Sequence, residues 1–232
     1  MPQDILYSTD TTKESASHHI GQASDEHEFD QILLDEESFY SVTPQRLADH
    51  HARRCKSKLV VDAFCGCGGN AIAFARAGMD VVGVEIIPDR VDMLRHNSRI
   101  YEVPEQRLSL IWGDFIDLAR NGKVSGDVIF LSPPWGGPWY RQEGVFDLTR
   151  PLPGLGVAVD ELLKLAMRCI RQRTRESGEL FGVACYLPRN IDKSQLKRLV
   201  PVGEVWELEK NMMNGRHIAY TLYTHKLATV GI

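Results

Sequence analysis

The nine residues Asp62-Ala63-Phe64-Cys65-Gly66-Cys67-Gly68-Gly69-Asn70 decide how the chain is read. They follow Leu59-Val60-Val61, a β-branched apolar run of the kind that forms a short buried strand, predicted over 59–63. Gly66, Gly68 and Gly69 let the backbone bend sharply and let a ligand approach the main chain. A helix predicted over 68–77 starts at once, and the first N–H groups of a helix have no intrahelical acceptor. A strand, a glycine turn and a helix in that order place a nucleotide-like ligand at the carboxyl end of a parallel sheet. The turn is not a P-loop, since no Gly-Lys-Ser/Thr follows. It also lacks the third glycine of GxGxxG, which disfavours a pyrophosphate-bearing dinucleotide. Taken alone, such a turn is equally compatible with a tight structural bend.

Outward from this turn, apolar strands alternate with helices. Strands are predicted over 80–85, 108–111, 127–131 and 180–187, with two closing strands over 205–208 and 218–223. Helices are predicted over 88–101, where Val91, Leu94 and Arg95 share helical spacing, and over 155–173, with Leu162, Leu165, Ala166 and Ile170 inward. Alternation of this kind implies a parallel sheet covered on both faces. The two closing strands have only a short connection, so they pair antiparallel. The expected architecture is α/β, a mostly parallel seven-stranded sheet with an antiparallel closing strand. Upstream, Phe29, Ile32, Leu33 and Leu34 form an apolar cluster; Thr43 reads as an N-cap and Pro44 as the first residue of a helix carrying Leu47, Ala48 and His51 on one side. Residues 1–28, polar and poor in apolar side chains, read as a disordered tail. Residues 29–57 read as a helical extension and 58–232 as the main domain.

The chain has 232 residues, 43% hydrophobic and 25% charged, values ordinary for a globular protein. Its net charge of -4 argues against broad binding to a phosphate backbone, while leaving room for a small local basic site. Five cysteines without a CxxC pair predict reduced thiols, with neither a disulfide framework nor a zinc site. His18-His19 has no further ligand at usable spacing. No apolar run approaches the roughly 18 residues of a membrane span, and Met-Pro-Gln-Asp lacks the features of a secretory signal.

Two further acids sharpen the reading. Glu85 ends the second strand, where a carboxylate can accept hydrogen bonds from both hydroxyls of a ribose. Asp114, in Trp112-Gly113-Asp114-Phe115 after the third strand, can accept from an adenine amino group while Phe115 or a nearby apolar side chain covers the ring. Either acid alone reads as a solvated strand end or a helix cap. Three consecutive strand ends carrying Asp62, Glu85 and Asp114 resemble the S-adenosylmethionine (SAM) site of Rossmann-like class I methyltransferases. That resemblance implies that Asp62 helps hold the methionine amine, with Thr43, Phe64, Gly66, Asn70, Glu85, Asp114 and Phe115 around the cofactor.

After the fourth strand comes Ser132-Pro133-Pro134-Trp135, which resembles the Pro-Pro-aromatic motif of amino-directed nucleobase methyltransferases. The prolines hold a rigid turn without N–H groups, so Ser132 and the Pro133 carbonyl can accept from an exocyclic amine while Trp135 stacks on the base. The longer string Phe130-Leu131-Ser132-Pro133-Pro134-Trp135-Gly136-Gly137-Pro138 is similar to the trimethylguanosine synthase family, which methylates the 2-amino group of 7-methylguanosine RNA caps. Matches at Phe39-Tyr40-Ser41-Val42-Thr43-Pro44, Gly113-Asp114-Phe115 and Tyr186-Leu187-Pro188-Arg189-Asn190 extend the resemblance over residues 29–223. It implies a SAM-dependent cap guanosine-N2 methyltransferase with Ser132, Pro133 and Trp135 as catalytic residues, and Trp135, Arg189, Asn190 and Tyr40 as cap-binding residues. Arg189 is the first candidate for the cap triphosphate, with Arg141 and Lys58 behind it, and Phe39 can line the pocket or the core. The same resemblance implies 7-methylguanosine-capped RNA as partner, in the nucleus or cytoplasm; no metal or membrane is expected from the residues, and the oligomeric state is left open, with a monomer the first expectation. Cys67 stands where the family usually has a small aliphatic residue, and Glu85 where many relatives have Asp. The alternatives are another amino-directed nucleobase methyltransferase and a cap binder that has lost catalysis.

Overall fold

The computed structural model describes residues 31–137, 144–200 and 204–228. The expected disordered tail, Phe29 and Arg141 lie outside these residues. Two helices, α1 (Glu36–Ser41) and α2 (Gln45–Arg54), precede the sheet. Strand β1 (Leu59–Asp62) is followed by α3 (Gly69–Arg76), β2 (Asp80–Glu85), α4 (Pro88–Ile100), β3 (Leu108–Trp112), α5 (Phe115–Arg120) and β4 (Val128–Leu131). Then come α6 (Val159–Ser177), β5 (Gly182–Pro188), α7 (Lys193–Leu199), β6 (Trp206–Met213) and β7 (Arg216–Thr224). The sheet order is β3-β2-β1-β4-β5-β7-β6. Strands β1 to β5 pair in parallel, and β7 runs antiparallel to both β5 and β6. The order reverses between β1 and β4, so a crevice opens beyond their carboxyl ends.

Both faces of the sheet are covered. Val61, Ile129, Leu131, Val183, Cys185 and Leu187 pack on one face against Leu162, Leu165, Ala166 and Ile170 of α6. Val60, Val128, Phe130 and Ala184 pack on the other against Ala48 and Ala52 of α2 and Phe74 of α3. All four residues of β4 are buried, as a central parallel strand requires. Ile32, Leu34 and Cys67 form a third, smaller cluster that ties the N-terminal segment to the glycine turn.

Several local expectations are corrected. Thr43 is not an N-cap: α2 begins at Gln45 with Pro44 in the cap position and no side-chain cap. Ser41 ends the short α1, a helix not expected from the sequence, whose cap is Asp35 accepting from the Ser38 N–H at 2.7 Å. Arg95 faces solvent and pairs with Asp92, while Asn97 and Ser98 turn inward on α4. Helix α6 starts at Val159 because Gly154 and Gly156 hold left-handed turns (φ 75° and 67°) just before it. Strands β6 and β7 run longer than expected, and α7 was not anticipated at all.

Candidate active site

Asp62, Glu85 and Asp114 follow one another across the carboxyl edge of the sheet, at the ends of β1 and β2 and just past β3. Asp62 is 1% exposed, and neither carboxylate oxygen has a hydrogen-bond partner of good geometry. Burial pushes its pKa up to about 7; backbone N–H groups of Phe64 and Ala71 pull it down, and the negative charge of Glu85 adds to the rise. An unpaired buried acid is costly, so this side chain fits a site completed by a cation such as a ligand ammonium. Glu85 is built differently. Its Oε2 accepts from the Gly66 N–H and its Oε1 from the Ile87 N–H, both at 2.9 Å. Those two bonds fix the carboxylate and leave each oxygen a further lone pair for a ligand hydroxyl. Gly66 sits at φ 51°, the left-handed conformation that aims its N–H at Glu85.

Asp114 caps α5 by accepting from the Ile116 N–H at 2.7 Å through Oδ1, which leaves Oδ2 for another partner. Phe115 is 1% exposed and packs edge-on against Phe64 at 5.8 Å, inside the core rather than on the crevice. The exposed apolar side chains at these strand ends are Ile86 and Trp112, and the Trp112 indole donates to the Ile86 carbonyl at 3.0 Å. Sequence reasoning missed both. The available signal was position alone, each lying next to a strand-end acid.

Asn70 and Thr43 are brought together but are occupied with each other. The Asn70 amide donates to the Thr43 hydroxyl at 2.8 Å and meets His51 Nδ1 at 3.0 Å through its oxygen. His51 Nε2 meets the Thr221 hydroxyl at 3.0 Å, and Thr221 accepts from Asn211 at 2.7 Å. A neutral ring that donates from Nδ1 and accepts at Nε2 satisfies every one of these contacts. Burial depresses His51 to about 4, so the ring stays neutral. This chain locks the start of α3, and with it the glycine turn, to α2 and β7.

The N-terminal segment reaches the same turn. Arg90 of α4 grips Asp35 and Glu37 at 2.6 Å each, and Asn97 bonds to both the Leu33 and Cys67 carbonyls at 2.9 Å. The Cys67 thiol donates to the Ser38 hydroxyl at 3.1 Å. A Cβ placed on Gly69 would stand 2.8 Å from Val42 Cγ2, so the segment packs directly on the turn. Tyr40 is exposed, with Phe39 against it edge-on at 5.4 Å.

Beside β4, Ser132 is half-buried and Pro133 buried. Trp135 is half-buried, braced edge-on by Phe146 at 5.5 Å and 88°. The Phe146 N–H donates to the Asn190 carbonyl at 2.9 Å, which joins this wall to the end of β5. Arg189 is exposed at that end. Lys58 is not part of the site: it precedes β1 and so sits at the opposite edge of a parallel sheet. All five cysteines are free and buried, and burial drives the thiols of Cys55, Cys65 and Cys185 far up. Among the described residues no group of three or more His, Cys, Asp or Glu is placed to hold a metal ion, and no helix is long and apolar enough to cross a membrane.

Fold and crevice together define a class I methyltransferase fold. Solved structures with the same architecture include a SAM-dependent methyltransferase of Agrobacterium tumefaciens (TM-score 0.54, 13% identity, covering 95% of this chain and 76% of that one). A tRNA m1G37 methyltransferase of M. jannaschii is another (TM-score 0.52, 13% identity, 91% and 55%). At such identities the likeness is one of fold. Residues 57–225 match the RNA cap guanine-N2 methyltransferase family model, and the chain belongs to that family. It is 38% identical over 172 residues to the trimethylguanosine synthase of Schizosaccharomyces pombe, covering 71% of this chain and 66% of that protein. It is 32% identical over 177 residues to the one from Saccharomyces cerevisiae, covering 72% and 51%. The chain therefore spans about half to two thirds of the length of these relatives.

Proposed function

We propose that this protein transfers methyl groups from SAM to the 2-amino group of 7-methylguanosine RNA caps, giving 2,7-dimethyl and, on a second transfer, 2,2,7-trimethyl caps. The observation that carries this reading is the alignment of three acids and the Ser132–Trp135 turn along four adjacent strand ends. When bound, SAM supplies a sulfonium methyl open to direct displacement. Asp62 would meet its ammonium, Glu85 its ribose hydroxyls and Asp114 its adenine amine, with Ile86 and Trp112 placed to cover the base. Phe64 and Gly66 shape the turn that cradles it, whereas Asn70 and Thr43 act by holding that turn. Phe115 supports Phe64 from behind.

On the acceptor side, Ser132 and the Pro133 carbonyl orient the amine so that its lone pair faces the methyl. Positioning of this kind supplies much of the acceleration in a direct displacement, and the amine proton leaves after the transfer. Trp135 stacks on the cationic 7-methylguanine ring, a cation–π contact worth about 0.5–2 kcal/mol that plain guanine lacks. Phe146 keeps the indole upright. Arg189 faces the cap phosphates, Asn190 holds the wall through its carbonyl, and Tyr40 rims the pocket. Residues 29–57 act as a helical extension contributing to the cap pocket, and 58–232 as the methyltransferase domain.

The test is methyl transfer to 7-methyl-GTP against GTP, with product masses measured. Preference for 7-methyl-GTP and products heavier by one or two methyl groups are expected. Equal use of both nucleotides would point to another amino-directed methyltransferase, and SAM binding without transfer to a binding module.

A further inference from the structure

Strand β7 runs antiparallel, so its amino end lies at the same edge of the sheet as the carboxyl ends of β4 and β5. The β6–β7 hairpin therefore projects beside the proposed cap pocket. Its residues and the start of α7 gather cations there. Lys210 lies opposite Tyr220 in register, and Lys193 Nζ sits 4.8 Å over the same Tyr220 ring. The His217 ring packs against Tyr220 at 4.4 Å. Burial holds His217 below the usual imidazole range, the Ala219 carbonyl opposes this, and the positive charges of Lys210, Lys193 and Arg189 push it lower. Lys193, Lys210, Arg189 and Arg216 are all exposed at this end, and none of them is in an ion pair found among the described residues. The nearby acids already have partners: Asp147, beside the start of α7, accepts from Thr149 and Gln195 and pairs with Arg150. Glu209, next to Lys210, binds His50 and Arg54 on the other face of the sheet, and Asp192, next to Lys193, caps α7 through the Ser194 N–H. The patch is joined to Trp135 by short steps, since Phe146 touches Trp135 and bridges to Ile191, two residues before Lys193.

Exposed cations that no carboxylate neutralises among the described residues, gathered beside a pocket in a chain of net charge -4, mark a local polyanion site. We infer that the surface formed by Lys193, Lys210, His217 and the hairpin tip binds the RNA chain downstream of the cap phosphates, as a single strand whose phosphates meet the two lysines. The inference rests on the cap reading and adds a second subsite to it. A free cap nucleotide does not reach this surface; a capped oligonucleotide does.

The experiment compares 7-methyl-GTP with a capped ten-nucleotide RNA as methyl acceptors, for the wild type, Lys193→Ala/Lys210→Ala and the charge-keeping Lys193→Arg/Lys210→Arg. The alanine pair is expected to raise KM for capped RNA about tenfold with kcat unchanged, to leave 7-methyl-GTP within twofold, and to be rescued by arginine. Two phosphate contacts on a single strand also carry a salt slope of about 1.4, so the wild type loses about sevenfold more affinity for a labelled RNA between 50 and 200 mM salt than the alanine pair does. Equal effects on both acceptors, or none on RNA, overturn the inference. A wild type that methylates neither acceptor sinks the cap reading instead, and the anisotropy of the labelled RNA still decides whether the lysines hold the strand.

Discussion

Asp62→Asn separates the cost of the buried acid from its use. Burial lifts Asp62 from 3.8 to about 7, so the folded chain holds this proton more tightly than the unfolded chain does. Stability from this group therefore falls as pH rises from about 4 to about 7, and the full penalty of an ionised Asp62 is about 4 kcal/mol above that range. Asparagine keeps the shape and an oxygen facing the nearby Phe64 and Ala71 N–H groups while removing the charge. The difference in unfolding free energy, variant minus wild type, should grow by about 3 kcal/mol between pH 5 and pH 8. Urea unfolding at the two pH values measures it. Calorimetry with SAM supplies the other half: the variant loses the charge that meets the ligand ammonium, with affinity down at least about a hundredfold, because removing one partner of a buried pair costs about 3–5 kcal/mol. Wild-type affinity should also weaken, by up to about tenfold per pH unit below pH 7, as Asp62 takes up its proton. A stability difference independent of pH, or near-normal SAM affinity in the variant, would refute the assignment.

Trp135→Ala is expected to lower turnover on 7-methyl-GTP more than a hundredfold while SAM affinity stays within threefold; filter-binding and methyl-transfer assays on one preparation check both. His51 acts in the opposite pH sense to Asp62. Its folded pKa of about 4 lies below the 6.5 of the free group, so its contribution is complete above pH 6.5 and about 3 kcal/mol is lost as pH falls to 4. The two groups oppose each other in the wild type, so Asp62→Asn should steepen the loss of stability on acidification and a second change, His51→Gln, should reduce it. Gly68→Ala places a Cβ 2.8 Å from Ile72 Cδ1 and 2.9 Å from Leu94 Cγ at φ 109°, and should cost about 2–4 kcal/mol in chemical denaturation.

The amino-acid sequence alone determined the parallel α/β order, because buried β-branched runs and their spacing report strand and crossover directly. It also determined the three strand-end acids and the Ser-Pro-Pro-Trp turn, since residues at the ends of parallel strands share an edge wherever the strands fall in the sheet. Tertiary structure decided the rest. Thr43 carries the residue type of a cap, yet only the approach of Asn70 from a helix 27 positions away makes it a buried acceptor. Phe115 and Trp112 look alike in sequence, but sheet-edge position exposes Trp112 at 69% while α5 turns Phe115 into the core. Lys58 lies at the far edge of the sheet and the β6–β7 cations at the crevice edge for one reason. Strand direction decides which edge of the sheet a charge occupies, and the antiparallel β7 brings residues remote in sequence back to the crevice, a long-range pairing that local periodicity does not encode.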